Sequence, residues 1–348
     1  MVESRMLPPM PALDRLSANI RDILTHALPC TPADTALVIY DEDAPLTQQV
    51  LAAYREVIPW ATFISFPEEG PEVVMRAIDR LVAGQLVILV QSSSFRLDAF
   101  RLRIELFRRG LRTIEHPHLN RLQTPEEIDA FIDSLAYDPV YYRVHGERLT
   151  QMIQDAKQIK VISKDGSTLI YQGPFEGAKK NTGDYREMAN VGGTFPIGEV
   201  FTELVDLAGA NGVASIFGYG GMDFRTRILK PFQIQIENGL VVGAGEGAPD
   251  EFHEILTMVK TNETPYIREL GLGLNRAFSK DRSVSDITTF ERQVGVHVSL
   301  GEKHAIYKKE GLRAKDTKYH IDLFIDVDEV WFDAHLGFKD GAYLLQSA

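Results

Sequence analysis

The chain has 348 residues, 44% hydrophobic and 25% charged, enough material to bury the cores of two or three domains. Its net charge of −12, from 37 basic and 49 acidic residues, argues against nucleic acid as the main partner, because phosphate backbones need basic surface. The single cysteine, Cys30, excludes a disulfide framework and a thiolate cluster, so any metal must be held by His, Asp and Glu.

The opening MVESRMLPPMPALDRL lacks the apolar run of a signal peptide, and no stretch approaches the roughly 20 apolar residues of a membrane span. These features predict a cytoplasmic protein without a membrane partner. Residues 35–120 then alternate between two periods. TALVIYD (35–41), ATFISFP (61–67), QLVILVQ (85–91) and LRTIEH (111–116) read as strands. Between them, PLTQQVLAAYREV (45–57), PEVVMRAIDRLVAG (71–84) and RLDAFRLRIELFRRG (96–110) read as helices, the last two ended by glycine. This alternation predicts βαβ units and a parallel sheet. TPEEIDAFIDSL (124–135) opens on an N-cap threonine, and ERLTQMIQDAKQ (147–158) predicts a further helix. From about 159 the pattern turns to strands. Hairpins are expected around Lys-Asp-Gly in IKVISKDGSTLIYQG and around Glu-Asn-Gly in PFQIQIENGLVVGAGEG. The expected architecture is α/β: a parallel-sheet domain over 1–155, then a β-rich α+β domain over 156–348.

Three later segments share one design. Side chains alternate faces along a strand. In YIRELGLGLN (266–275), Leu270, Leu272 and Leu274 fall on one face, and Glu269, Gly271 and Gly273 on the other. In VGVHVSLG (294–301), His297 and Ser299 oppose a row of aliphatics. In YHIDLFID (319–326), His320, Asp322, Phe324 and Asp326 oppose Tyr319, Ile321, Leu323 and Ile325. A fourth stretch, NVGGTFPIGEVFTE (190–203), leads through three glycines and a proline into Glu199. The glycines near Glu269 leave room for a close approach by a neighbour or a substrate. Singly, each of these ionisable residues reads as a solvated or salt-bridged strand face. Together, Glu199, Glu269, His297, His320 and Asp322 supply the donors that one or two divalent cations need.

The order FPIGEVFTE, FQIQIENGLVV, IRELGLGLN, GVHVSLG and YHIDLFID resembles the metal-dependent aminopeptidases of the M29 (aminopeptidase T) family over residues 160–335. The resemblance implies a metallo-aminopeptidase that releases N-terminal residues from peptides through a metal-activated water, assembled as a homo-oligomer. It carries the family ligands onto Glu199, Glu269, His297, His320 and Asp322, with Zn, Co or Mn as cation and Glu199 or Glu269 as bridging ligand or base. The family tyrosine seven residues after the first metal histidine is replaced here by His304, a candidate catalytic residue; the nearest tyrosine is Tyr307. The chain also resembles the 2,5-dihydroxypyridine dioxygenases, whose single Fe(II) is held by two histidines and an aspartate. One of those histidines stands where this chain has Glu269, which favours the peptidase-like site. The alternatives are a non-haem Fe(II) ring-cleaving dioxygenase acting on a small aromatic molecule, or a non-catalytic ligand-binding relative.

Other signals are weaker. VGAGEG (242–247) follows a strand but opens no helix, so it fails as a dinucleotide loop. His116 and His118 in EHPHL read as a loop end and not a ligand pair, His26 and Cys30 could share a helix face but show no partner cluster in the sequence, and His253 reads as the surface of a helix over PDEFHEILTMVK. Lys179, Lys180 and Arg186 read as a solvated basic loop.

Overall fold

A computed structural model describes residues 11–97, 100–304, 306–312 and 316–344. Residues 1–10, in which no signal peptide was expected, and residues 98–99 of the expected 96–110 helix lie outside the described residues. The chain forms two compact units: residues up to Pro139 with Gly183–Pro196, and Val140–Thr182 with Ile197 onward.

The first unit holds a parallel sheet in the order Gly192–Thr194, Arg112–His116, Leu86–Val90, Ala36–Tyr40, Thr62–Ser65. Helices cover both faces, which is why Ala36–Tyr40 and Leu86–Val90 are apolar runs without alternation. Leu37, Ile39, Val87 and Leu89 pack one face against Val74, Ile78, Leu102 and Leu106. On the other face, Tyr54 of the helix Pro45–Val57 hydrogen-bonds His116, and Phe131 of the helix Pro125–Ser134 meets the same imidazole edge-on. Thr124 caps that second helix by accepting from the Glu127 amide, and the Glu127 carboxylate returns the bond to the Thr124 amide.

Three elements differ from the sequence reading. The helix expected at 71–84 spans Phe66–Asp79 and is broken at Gly70, whose φ of 76° suits glycine. The helix expected at 96–110 covers only Leu102–Arg108, because Arg96–Leu97 and Phe100–Arg101 pair as a short ladder. The helix expected at 147–158 begins earlier and spans Pro139–Asp155, with proline at its first position. The helix Ala12–Asp22 was not read from the sequence. It continues into a wider turn over Ile23–Ala27 that holds His26, and Cys30 lies beyond it.

The second unit is built on a curled antiparallel sheet of 13 strands among the described residues. The hairpin Gln158–Ser163 and Thr168–Gln172 leads to the long strand Ala210–Gly220. From there the order runs Ile321–Ile325, Gly295–Leu300, Ile267–Gly273, Glu199–Glu203, Lys179–Asn181. The strands Thr226–Glu237 and Leu240–Ala244 branch from Ala210–Gly220, turning at Asn238-Gly239. The helix Asp250–Asn262 lies on the sheet through Phe252, whose ring meets Tyr219 and Phe232. His253, on its outer side, is exposed.

Candidate metal centre

Four adjacent strands set the register of the site. Glu199 pairs with Gly273 and Phe201 with Gly271. Gly271 in turn pairs with His297, His297 with Phe324, and Ser299 with Asp322. The absent side chain at Gly271 is what admits the imidazole: a Cβ there would lie 2.1 Å from the His297 ring. Gly273 does the same for a backbone, since its Cβ would fall 1.9 Å from the Gln293 carbonyl oxygen.

On this lattice Glu199, Glu269 and His297 converge, with one ligand atom from each inside a 4.8 Å group. All three are buried, His297 completely. His297 Nε2 is 3.2 Å from Glu199 Oε1 and 3.2 Å from Glu269 Oε1. With metal–ligand bonds of about 2.1 Å, ligand atoms in a tetrahedral or octahedral shell sit roughly 3.0–3.4 Å apart, so these separations match the edges of such a shell. The donor set fits a cation on a second count. Glu199 Oε1 and Asp322 Oδ1 are buried without a hydrogen-bond partner, and leaving a buried carboxylate oxygen unmatched is costly.

The other predicted residues lie beside this triad. His304 Nε2 is 2.8 Å from Glu269 Oε2. Its Nδ1 accepts from the Ile306 amide, which puts the ring proton on Nε2; close as that atom is to Glu269, it makes no hydrogen bond of good geometry. The rings of His304 and His320 are 5.8 Å apart. His320 just precedes its strand; its Nδ1 donates to the Lys303 carbonyl, and its Nε2 lies 3.2 Å from Asp322 Oδ1. That backbone bond fixes the tautomer whose Nε2, once the ring is neutral, offers the lone pair a metal-binding histidine needs. A cavity of about 70 Å³ opens on this side, lined by Gly220, Gly221, Met222, Ile287, His320 and Asp322.

The electrostatics follow from crowding. Burial lowers the His297 pKa, but the close carboxylates of Glu199 and Glu269 outweigh it and push the group up to about 10. His320 is likewise raised to about 9, because Asp322 and Glu269 overcome its desolvation. Burial pushes Glu269 up, but His297, His304 and His320 hold it well below the usual carboxylate range. Positive charge is what these carboxylates favour.

Two neighbours were not singled out from sequence. Arg292 Nη1 lies 3.4 Å from Glu199 Oε2 and also pairs with Glu291. Arg268 grips Glu203 through two bonds of 2.9 Å, and Lys309 adds a contact of 3.2 Å. Tyr307, the tyrosine nearest the family position, turns its hydroxyl to the carbonyls of Gly177 and Phe201 instead. Lys180 pairs with Glu147 and Arg186 with Asp184, as a basic surface loop would.

Among solved structures, the chain matches the 2,5-dihydroxypyridine dioxygenase from Pseudomonas putida KT2440 with a TM-score of 0.64, over 97% of this chain and 99% of that one, at 13% identity. It matches AmpT from Thermus thermophilus with a TM-score of 0.53, over 95% and 99%, also at 13% identity. The chain has the fold these two proteins share. No family model matches the sequence, and no curated protein does. No helix among the described residues is long and apolar enough to cross a membrane.

Proposed function

We propose that the protein is a divalent-metal-dependent hydrolase of the M29 aminopeptidase type, releasing N-terminal residues from peptides. The observation that carries this reading is the buried triad of Glu199, Glu269 and His297. Two carboxylates and one imidazole form a hard, anionic donor set suited to Zn, Mn or Co. His320 and Asp322 would complete the ligands, one of them through the unpartnered Asp322 oxygen. A bound cation would supply Lewis acidity and a water nucleophile at neutral pH. The chain's own contribution is placement. Glu199 or Glu269 would accept the proton of the attacking water, and His304, with Nε2 2.8 Å from Glu269 Oε2, would hold that carboxylate in line. The anionic cluster would also attract a peptide's ammonium terminus.

A second reading has support of its own. The match to the dioxygenase has the higher TM-score, 0.64 against 0.53. Under that reading one Fe(II) would be held by Asp322, one of His297 and His320, and Glu269 in the place where the dioxygenases carry a histidine. One paired assay separates the two. Metal-loaded protein is offered unblocked and N-acetylated peptides, and separately Fe(II)-loaded protein is offered a dihydroxylated pyridine while oxygen is followed. Release of the N-terminal residue from unblocked peptides only, abolished by chelator, is the expected result. Oxygen uptake without hydrolysis under any cation would overturn the proposal in favour of ring cleavage.

A further inference from the structure

The geometry points to Arg292 as a positioning residue that holds Glu199 to a single oxygen toward the cation. This inference rests on the metal-centre reading above. A free carboxylate can rotate and offer both oxygens to one ion or bridge two ions. Here the two oxygens of Glu199 face different partners: Oε1 faces His297 Nε2 and Oε2 faces the Arg292 guanidinium. Glu269 is divided the same way, with Oε1 toward His297 and Oε2 toward His304. Each glutamate therefore has its outer oxygen against a protein donor and its inner oxygen aimed at the shared point.

Arg292 is well placed for this. It is 7% exposed, and its Nε and Nη1 make no hydrogen bond of good geometry. A buried guanidinium so sparsely satisfied is held by charge, between Glu199 and Glu291. Its backbone is fixed too. The Arg292 carbonyl accepts from the Asn275 amide at 2.8 Å, and the bare Cα of Gly273 lets this segment approach the strand. Ligand carboxylates in general depend on such outer partners, and losing one weakens metal binding by about 10–100-fold.

The test is titration of the full-length protein with Co(II), followed by visible absorption, for the wild type, Arg292→Met, Arg292→Lys and Glu199→Gln. The expected result is that Arg292→Met binds Co(II) about 10–100-fold more weakly. Its visible bands should also lose intensity, as Glu199 takes a second coordination position. Arg292→Lys, which keeps the charge and the fold, should recover most of the affinity. If Arg292→Met and Arg292→Lys both match the wild type in affinity and spectrum while Glu199→Gln loses binding, the inference is overturned and the metal centre stands. If Arg292→Met does not fold, Arg292→Gln takes its place: wild-type affinity and spectrum in that variant overturn the inference, and weaker Co(II) binding with less intense bands supports it. A wild type that binds no Co(II) removes the metal centre and this inference together.

Discussion

The two ends of the strand Glu199–Glu203 put the same side chain to opposite uses. At one end Glu203 is fully buried and fully answered: Arg268 meets both its oxygens and Lys309 adds a third cation contact. At the other end Glu199 is 4% exposed, shares its space with Glu269, and keeps Oε1 without a hydrogen-bond partner. Burial alone does not mark a functional site; the balance of partners does. A buried carboxylate with both oxygens bonded to a guanidinium holds structure together, whereas Glu199, which meets Arg292 only at 3.4 Å and keeps Oε1 without a hydrogen bond, has an oxygen left for a cation from outside. Two histidines make the same contrast. His116 and His297 are both completely buried. His116, beside the rings of Tyr54, Phe131 and Phe195, is pushed down to about 4 by desolvation. His297, between two glutamates, is pushed up to about 10 despite the same desolvation.

The comparison breaks most visibly at its structural end. Arg268→Met should leave Glu203 buried with only Lys309 to answer it. Removing one partner of a buried pair costs about 3–5 kcal/mol, so the denaturant midpoint should fall sharply. A loss below about 1 kcal/mol would show that the pair does not stabilise the fold.

The histidine contrast gives a pH dependence of similar size. His116 has a folded pKa below its unfolded value, so the unfolded chain binds the extra proton between pH 6.5 and about 4. Its share of stability is therefore complete above pH 6.5 and is lost as the pH falls toward 4, by roughly 3 kcal/mol. Urea unfolding of the wild type and of His116→Phe, each at pH 7 and pH 4.5, should show the wild type losing more on acidification. Equal losses would contradict the assignment.

Gly271→Ala sharpens the site end. Its new methyl would collide with the His297 ring, and overpacking of this kind costs about 1–3 kcal/mol. The variant should melt lower and bind metal poorly; retained wild-type metal affinity would mean that the ring has room to move. The smallest change is expected for Glu199→Gln without metal. The substitution relieves crowding with Glu269 but leaves Arg292 to Glu291 alone, and these opposed changes should keep thermal stability within about 1 kcal/mol of the wild type, in contrast to Arg268→Met. A loss of several kcal/mol would place Glu199 with Glu203 as a structural residue.

Much of this was legible from periodicity. The row of Glu269, Gly271 and Gly273 opposite the leucines required only strand alternation, and the ladder puts Gly271 against His297. The helix Pro45–Val57 matched its expected span, and Thr124 announced its cap. What stayed hidden depends on contacts distant in sequence. Gly192–Thr194, with two glycines in three residues, carries no strand signature, yet it pairs with Arg112–His116. The helix Pro139–Asp155 contains Gly146, a poor helix former, tolerated because a Cβ there would strike Thr182. Arg292 looks like any loop arginine until the fold brings it to Glu199. Nothing in the sequence shows that His304 is buried, yet it is, with Nδ1 accepting from the Ile306 amide and Nε2 2.8 Å from Glu269.

The central claim is that Glu199, Glu269 and His297 form a cation site. Calorimetric titration of chelator-treated protein with Zn(II) and Mn(II) tests it most directly, with Glu199→Gln, Glu269→Gln and His297→Ala alongside. The account predicts saturable binding by the wild type, a matching rise in melting temperature, and loss of both in all three variants. Absence of binding in the wild type, or binding that survives all three substitutions, would contradict it.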